Sequence, residues 1–120
     1  MENFEKQLSG DILIETINIV KATLTEASIT KSRLFEDIEL DNKNIIVDIS
    51  KCDFMDSTFL GALVVSLKAT RKIGGDIKIV IASSSFAEGL VDNSGILRVF
   101  EIYTSVDDAL NSFKFLSMEP

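Results

Sequence analysis

The first twenty residues alternate between apolar and polar positions. Phe4 and Leu8 alternate with polar residues ahead of the tripeptide Ser9-Gly10-Asp11, and apolar residues return over 12–20. Glycine between serine and aspartate is typical of a tight turn, and period-two alternation is typical of strands. The pattern therefore predicts a β-hairpin at the start of the chain.

The rest of the chain alternates between helical and extended patterns. Apolar residues three or four positions apart predict helices at about 23–38, 57–72 and 86–91, and from about 105 onward. Apolar runs predict buried strands at 45–49 and 77–82, and a last strand at 99–103. Gly74-Gly75 is expected to end the second helix in a left-handed conformation. The order β-β-α-β-α-β-α-β-α predicts an α/β fold, with helices packed around a mostly parallel mixed sheet that begins with the hairpin.

Size and charge narrow the class of protein. The chain has 120 residues, of which 46% are hydrophobic and 26% charged, as expected for a single folded domain over 1–120. Its net charge is −7. An acidic surface disfavours non-specific binding to nucleic acid or to an anionic membrane, since both need positive charge.

The residue types exclude most familiar catalysis. Histidine is absent, so there is no Ser-His-Asp triad and no histidine-ligated metal, and the lone Cys52 excludes an intrachain disulfide. Neither a nucleophile elbow nor a phosphate-binding glycine loop occurs. With no signal peptide and no apolar run long enough to cross a membrane, we expect a cytoplasmic location.

The most informative segment is 52–63, between a predicted buried strand and the second helix. In open α/β sheets this edge is where ligands and partners usually bind. Asp56 or Ser57 is expected to cap the helix, because a side-chain oxygen there accepts an unpaired backbone N–H. A serine at a helix N-terminus is also a favourable place for a phosphate, and the two interpretations are compatible.

One narrow face of the predicted second helix carries small and polar residues. This face contains Ser57, Gly61, Val64 or Val65, and Lys68. Glycine inside a helix costs about 1 kcal/mol relative to alanine, which suggests close approach by another chain or close packing within the domain. Leu60, Leu63 and Leu67 lie on the opposite, core-facing side.

The segment Asp56-Ser57-Thr58-Phe59-Leu60-Gly61 resembles the Asp-Ser-Ser/Thr-Gly-Leu-Gly signature of STAS domains, named for sulphate transporters and anti-sigma-factor antagonists. The resemblance covers nearly the whole chain. Its other parts are 44–50 as the preceding strand, 72–75 as the turn after the helix, 94–97 with Phe100 and Ile102, and 107–109 in the last helix.

The resemblance implies a phosphorylation-switched anti-sigma factor antagonist that is not an enzyme and has no cofactor. Ser57 would be phosphorylated, with Thr58 as second choice, by a serine kinase that doubles as the anti-sigma factor. The unphosphorylated form would bind that kinase and free the sigma factor, and a PP2C-type phosphatase would reset it. The implied partner-binding residues are Val20, Asp56, Thr58, Phe59, Gly61, Val64 and Lys68.

Two departures from the family pattern keep alternatives open. Phe59 stands where the family usually has glycine, and we expect it to be a partner anchor rather than a core residue. The loop 18–23 lacks the aspartate often found there in phosphorylated members, which leaves a non-phosphorylated STAS scaffold in a signalling or transport assembly as the second interpretation.

A small enzyme with Mg²⁺ on Asp48, Asp53 and Asp56 is disfavoured, since solvated loop carboxylates explain these residues. A weak homodimer stays open.

Overall fold

The chain begins with the predicted hairpin. The computed structural model describes residues 2–82 and 99–117, with side chains up to 114. Strands β1 (Phe4–Ser9) and β2 (Ile12–Ile17) pair antiparallel, and Gly10 takes a φ of 64° in the turn. The predicted helix at 86–91 and the family match at 94–97 lie outside the described residues.

Apart from two short strands, the remaining elements follow the predicted order wherever the structure describes them. They are β3 (Lys21–Ala22), α1 (Leu24–Glu39), β4 (Asn44–Asp48), β5 (Phe54–Met55), α2 (Ser57–Lys72), β6 (Asp76–Val80), β7 (Glu101–Tyr103) and α3 (Val106–Ser117). The two short strands are β3 and β5. The main sheet has the order β1-β2-β4-β6-β7, and all its pairs except β1–β2 are parallel. The predicted α/β fold with a mostly parallel mixed sheet is confirmed.

Alternation along the strands divides the core between the two faces of this sheet. Helices α1 and α2 cover one face, where the buried side chains include Leu13, Ile45, Ile77, Leu34 and Leu63. Helix α3 covers the other face, where they include Ile12, Ile14, Ile46, Ala109 and Phe113. The predicted core side of α2 is confirmed, since Leu60, Leu63 and Leu67 are all buried.

Two glycines fix the connection from α2 to β6. Gly74 has a φ of 84°, and the Gly74 and Gly75 N–H groups donate to the carbonyls of Arg71 and Thr70. This is a Schellman motif, and it confirms the predicted left-handed helix end. Gly75 lies directly against the Lys43 carbonyl, where a side chain would clash.

A second, two-stranded sheet was not predicted. Strands β3 and β5 pair in parallel, with Lys21 opposite Phe54 and Ala22 opposite Met55. The Asp53 N–H also donates to the Val20 carbonyl at 2.8 Å. The loop after β2 is therefore fastened beside the segment that leads into α2.

Candidate protein-docking site

Asp56 joins the starts of two helices. As N-cap of α2, its Oδ1 accepts the Phe59 N–H at 2.9 Å, which confirms the predicted cap. Its Oδ2 accepts the Leu24 N–H at 3.0 Å, at the first residue of α1. Both N–H groups belong to the first helical turn, where no intrahelical acceptor exists. One carboxylate thus holds the two helix N-termini together at the carboxyl edge of the sheet.

Ser57 and Thr58 follow Asp56 as the first two residues of α2, and both are exposed. Peptide dipoles make the N-terminus of a helix electropositive, so negative charge is favoured there. Neither acidic nor basic side chains occur in the Ser57–Leu60 turn. The hydroxyls are therefore accessible in a setting where a phosphate would be tolerated by the folded domain.

Three exposed apolar side chains lie on the segments that are bonded to the start of α2. Val20 is 56% exposed, Leu24 67% and Phe54 47%, and the β3–β5 pairing and the Asp56 bond place all three around the start of α2. We call Val20, Leu24, Phe54, Ser57 and Thr58 the docking surface. Large exposed apolar groups that cluster beside polar ones are typical of binding sites.

A groove between α1 and α2 continues from this surface. It has a volume of about 340 Å³, and its lining residues are Leu24, Ala27, Ser28, Lys31, Thr58, Gly61, Ala62 and Val65. Val65 is 44% exposed. Among the described residues that line the groove, Lys31 is the only ionisable one, and the lining is mostly apolar with the hydroxyls of Ser28 and Thr58.

The structure places most of the predicted partner-binding residues at the surface. Val20, Thr58 and Lys68 are exposed, whereas Asp56 and Gly61 are partly buried. Val64 packs partly against the core, so Val65 is the more exposed of the two valines.

The prediction that Phe59 is a surface anchor is wrong. Its side chain is 0% exposed and belongs to the core cluster beneath α1 and α2. Phe59 precedes Leu63 by four residues and therefore lies on the same helical face. The glycine position of the family signature is filled here by a core residue.

Gly61 has no packing role among the residues that the structure describes. A Cβ built at this position meets no heavy atom within 4 Å, and its φ is not positive. Of the two explanations given for this glycine, close packing within the domain is therefore not supported in the described part. The open space above Gly61 leaves room for another chain.

Sequence reasoning missed Leu24 and Phe54 as members of the surface. Leu24 reads as an ordinary helical residue, and its exposure follows from its place at the outer end of α1. Phe54 lies inside the informative segment 52–63, but only the β3–β5 pairing shows that Phe54 points outward while Met55 is buried.

The thiol of Cys52 lies beside the site in a buried position. Burial, with help from the Asp48 and Asp53 charges, raises the pKa of this thiol to about 12, so the protonated form is favoured.

Asp48, Asp53 and Asp56 do not form a cluster, and no group of three potential metal ligands occurs within 2–82 and 99–117. Among the same residues no helix is long and apolar enough to cross a membrane.

The sheet order and the helix that starts at an Asp-Ser pair define an α/β domain with a mostly parallel mixed sheet. Residues 6–109 match the STAS domain family, and the chain belongs to that family.

Solved structures with the same fold include proteins of two kinds. A protein from Thermotoga maritima, provisionally assigned as an anti-sigma factor antagonist, has a TM-score of 0.82 at 21% identity, over 92% of this chain and 94% of that one. A sulfate transporter family protein from Wolinella succinogenes has a TM-score of 0.75 at 21% identity, over 95% and 93%. The Bacillus cell fate determinant SpoIIAA in its phosphorylated form has a TM-score of 0.68 at 12% identity, over 92% and 98%. These similarities show the fold.

Proposed function

We propose that this chain is an anti-sigma factor antagonist whose binding is switched by phosphorylation of Ser57. Unphosphorylated, it would bind an anti-sigma serine kinase in the cytoplasm and so release a sigma factor. A PP2C-type phosphatase would restore the unphosphorylated form. The domain itself would carry out no reaction.

One observation carries this proposal: the Ser57 hydroxyl is exposed at the start of α2, to which the segments that bear the exposed apolar side chains of Val20, Leu24 and Phe54 are bonded. Apolar contacts through Val20, Leu24 and Phe54 would supply affinity for the partner. The fold relative SpoIIAA has been solved in both unphosphorylated and phosphorylated forms, which supports a phosphorylation switch on this kind of scaffold.

The physical basis of the switch is desolvation. A phosphate adds about −1.5 to −2 charges, which a partner surface built for apolar contact would have to bury without a matched cation. A loss of about 3 kcal/mol in binding already corresponds to more than a hundredfold in affinity. No rearrangement of the domain is needed for this effect.

Phosphorylation is tested by incubating the chain with its cognate anti-sigma kinase and Mg²⁺-ATP, followed by peptide mass spectrometry. We expect one phosphate on Ser57, retained in Thr58→Ala and lost in Ser57→Ala. Phosphate confined to Thr58, or none on the chain, would contradict the assignment.

Binding is tested by calorimetry against the same kinase. Ser57→Ala should bind as tightly as the unphosphorylated chain, and Ser57→Asp at least tenfold more weakly. Ser32→Asp is the matched control, because Ser32 is an exposed serine of α1 that does not line the groove. Equal affinity of Ser57→Ala and Ser57→Asp would refute the switch.

The second candidate is a non-phosphorylated STAS scaffold. It is favoured by the similarity to the sulfate transporter family protein. That protein and the Thermotoga protein are both 21% identical to this chain. A scaffold could bind its partner through the same surface, and a charge introduced at Ser57 would weaken that contact as well. The phosphopeptide experiment therefore separates the two candidates: phosphate on Ser57 after incubation with the kinase and Mg²⁺-ATP supports the switch, and its persistent absence supports the scaffold.

A further inference from the structure

Two carboxyl groups lie buried side by side, away from the docking surface. Glu15 of β2 is 3% exposed and Asp37 of α1 is 0% exposed. They occupy the contact between the hairpin edge of the sheet and the second half of α1. Buried acids of this kind require partners, because burial of an unpaired charge is strongly unfavourable.

Two cations neutralise one oxygen of each carboxyl. Arg33 donates to Glu15 Oε1 from Nε at 3.1 Å and from Nη2 at 2.8 Å. Lys6 Nζ donates to Asp37 Oδ1 at 2.6 Å, and the same Nζ lies 3.6 Å from Glu15 Oε2. The cluster therefore joins β1, β2 and α1.

The other two oxygens, Glu15 Oε2 and Asp37 Oδ2, are fully buried and have no hydrogen-bond partner among the residues that the structure describes. The single Nζ of Lys6 holds the two carboxyl groups near each other, at 2.6 Å from Asp37 Oδ1 and 3.6 Å from Glu15 Oε2. Two ionised carboxylates at such close range repel, whereas a proton on one of them would allow the two unpaired oxygens to form one hydrogen bond.

We propose that Glu15 carries a proton at neutral pH and donates it in a hydrogen bond to Asp37, which makes the contact between β2 and α1 a pH-sensitive latch, that is, a contact that loosens when the proton is lost. Burial, together with the Asp37 hydrogen bond and charge, raises the pKa of Glu15 from 4.5 to about 7, against the opposing effect of Arg33. The charged groups that face Glu15 are Lys6 of β1 and Arg33 and Asp37 of α1; Val47, its neighbour on β4, carries no charge.

The latch weakens as pH rises. The folded chain holds this proton between pH 4.5 and about 7, where an unfolded chain has released it, so stability falls through this range. With a Glu15 pKa of 4.5 in the unfolded chain and about 7 in the folded chain, the titration of Glu15 alone raises the unfolding constant about thirtyfold between about pH 5.5 and about pH 8.5. Most folded domains keep their stability in that range, so a loss of stability as pH rises is the result that indicates a protonated Glu15 in the folded chain.

The proton is observed directly by following the side-chain carboxyl ¹³C resonances of the whole chain against pH. The resonance that Glu15→Gln removes should titrate near pH 7. In Asp37→Asn the Glu15 midpoint should fall by more than one unit, since an amide N–H donates to the ionised form of Glu15. A wild-type midpoint below pH 5, or an unchanged midpoint in Asp37→Asn, overturns the proposal.

Urea unfolding at the two pH values supplies the second readout. Glu15→Gln keeps the size of the side chain and carries a permanent donor, so its unfolding constant should change at least tenfold less than that of the wild type between the two pH values. An equal change in both proteins overturns the latch. If Glu15→Gln does not fold, the wild-type and Asp37→Asn titrations decide alone.

Discussion

Asp56 offers the sharpest test of how the docking surface is built. Its carboxylate accepts the N–H groups of Leu24 and Phe59, at the first turns of α1 and α2. Loss of a helix cap typically costs about 1 kcal/mol. The hydrogen bond to the Leu24 N–H is exposed to solvent, and we expect it to contribute a similar amount, about 1 kcal/mol, to the free energy of unfolding. Asp56→Ala should therefore lower the free energy of unfolding by about 2 kcal/mol.

Asp56→Asn separates the two contributions. Asparagine keeps one oxygen acceptor and is a good N-cap, so the bond to Phe59 survives and the bond to Leu24 is lost. We expect a loss of about 1 kcal/mol, half that of the alanine variant. Asp53→Ala, which removes an exposed carboxylate three residues earlier, should change stability by less than about 0.5 kcal/mol.

The assay is urea unfolding with amide hydrogen exchange on the same samples. Exchange should accelerate at both Leu24 and Phe59 in Asp56→Ala, but only at Leu24 in Asp56→Asn. The reasoning fails if Asp56→Ala is as stable as Asp53→Ala. It also fails if the Leu24 amide exchanges at the wild-type rate in both Asp56 variants.

Two matched pairs of substitutions check the remaining assignments. Phe59→Ala should lose about 3–5 kcal/mol of stability in urea unfolding, because it empties a fully buried site, whereas Phe54→Ala should lose less than about 1 kcal/mol and instead weaken kinase binding. Similar stability losses in the two would contradict their placement. Gly61→Ala should raise the unfolding free energy by about 0.5–1 kcal/mol, since nothing opposes the added methyl group, whereas Gly75→Ala should lower it through the clash with Lys43. A destabilised Gly61→Ala would show that the helix face is already occupied.

Local patterns predicted most of the fold. The turn at Gly10, the start of α2 after Asp56 and its end at Gly74 each follow from residues a few positions apart. These features depend on turn and cap chemistry, which the sequence displays directly.

Features that depend on distant pairing could not be predicted in this way. Strands β3 and β5 have two residues each, too few to show a period, and they form because Val20–Ala22 and Asp53–Asp56 exchange backbone bonds. Glu15 reads as the polar position of an exposed strand, and only the packing of α1 shows that it is buried beside Asp37. Phe59 replaces a glycine of the family motif, which indicated a surface position, but its four-residue spacing from Leu63 places it on the buried face of α2.

The attachment of Asp56 has a consequence for the kinetics of association. Its backbone N–H is bonded to Ala22 and its carboxylate to Leu24, so the loop after β2, the first turn of α1 and the Ser57 turn are held as one unit. A partner would meet side chains whose backbone is already ordered, so little conformational entropy would be lost on binding. Affinity differences among variants of this surface should then appear mainly in the dissociation rate, with association rates nearly constant.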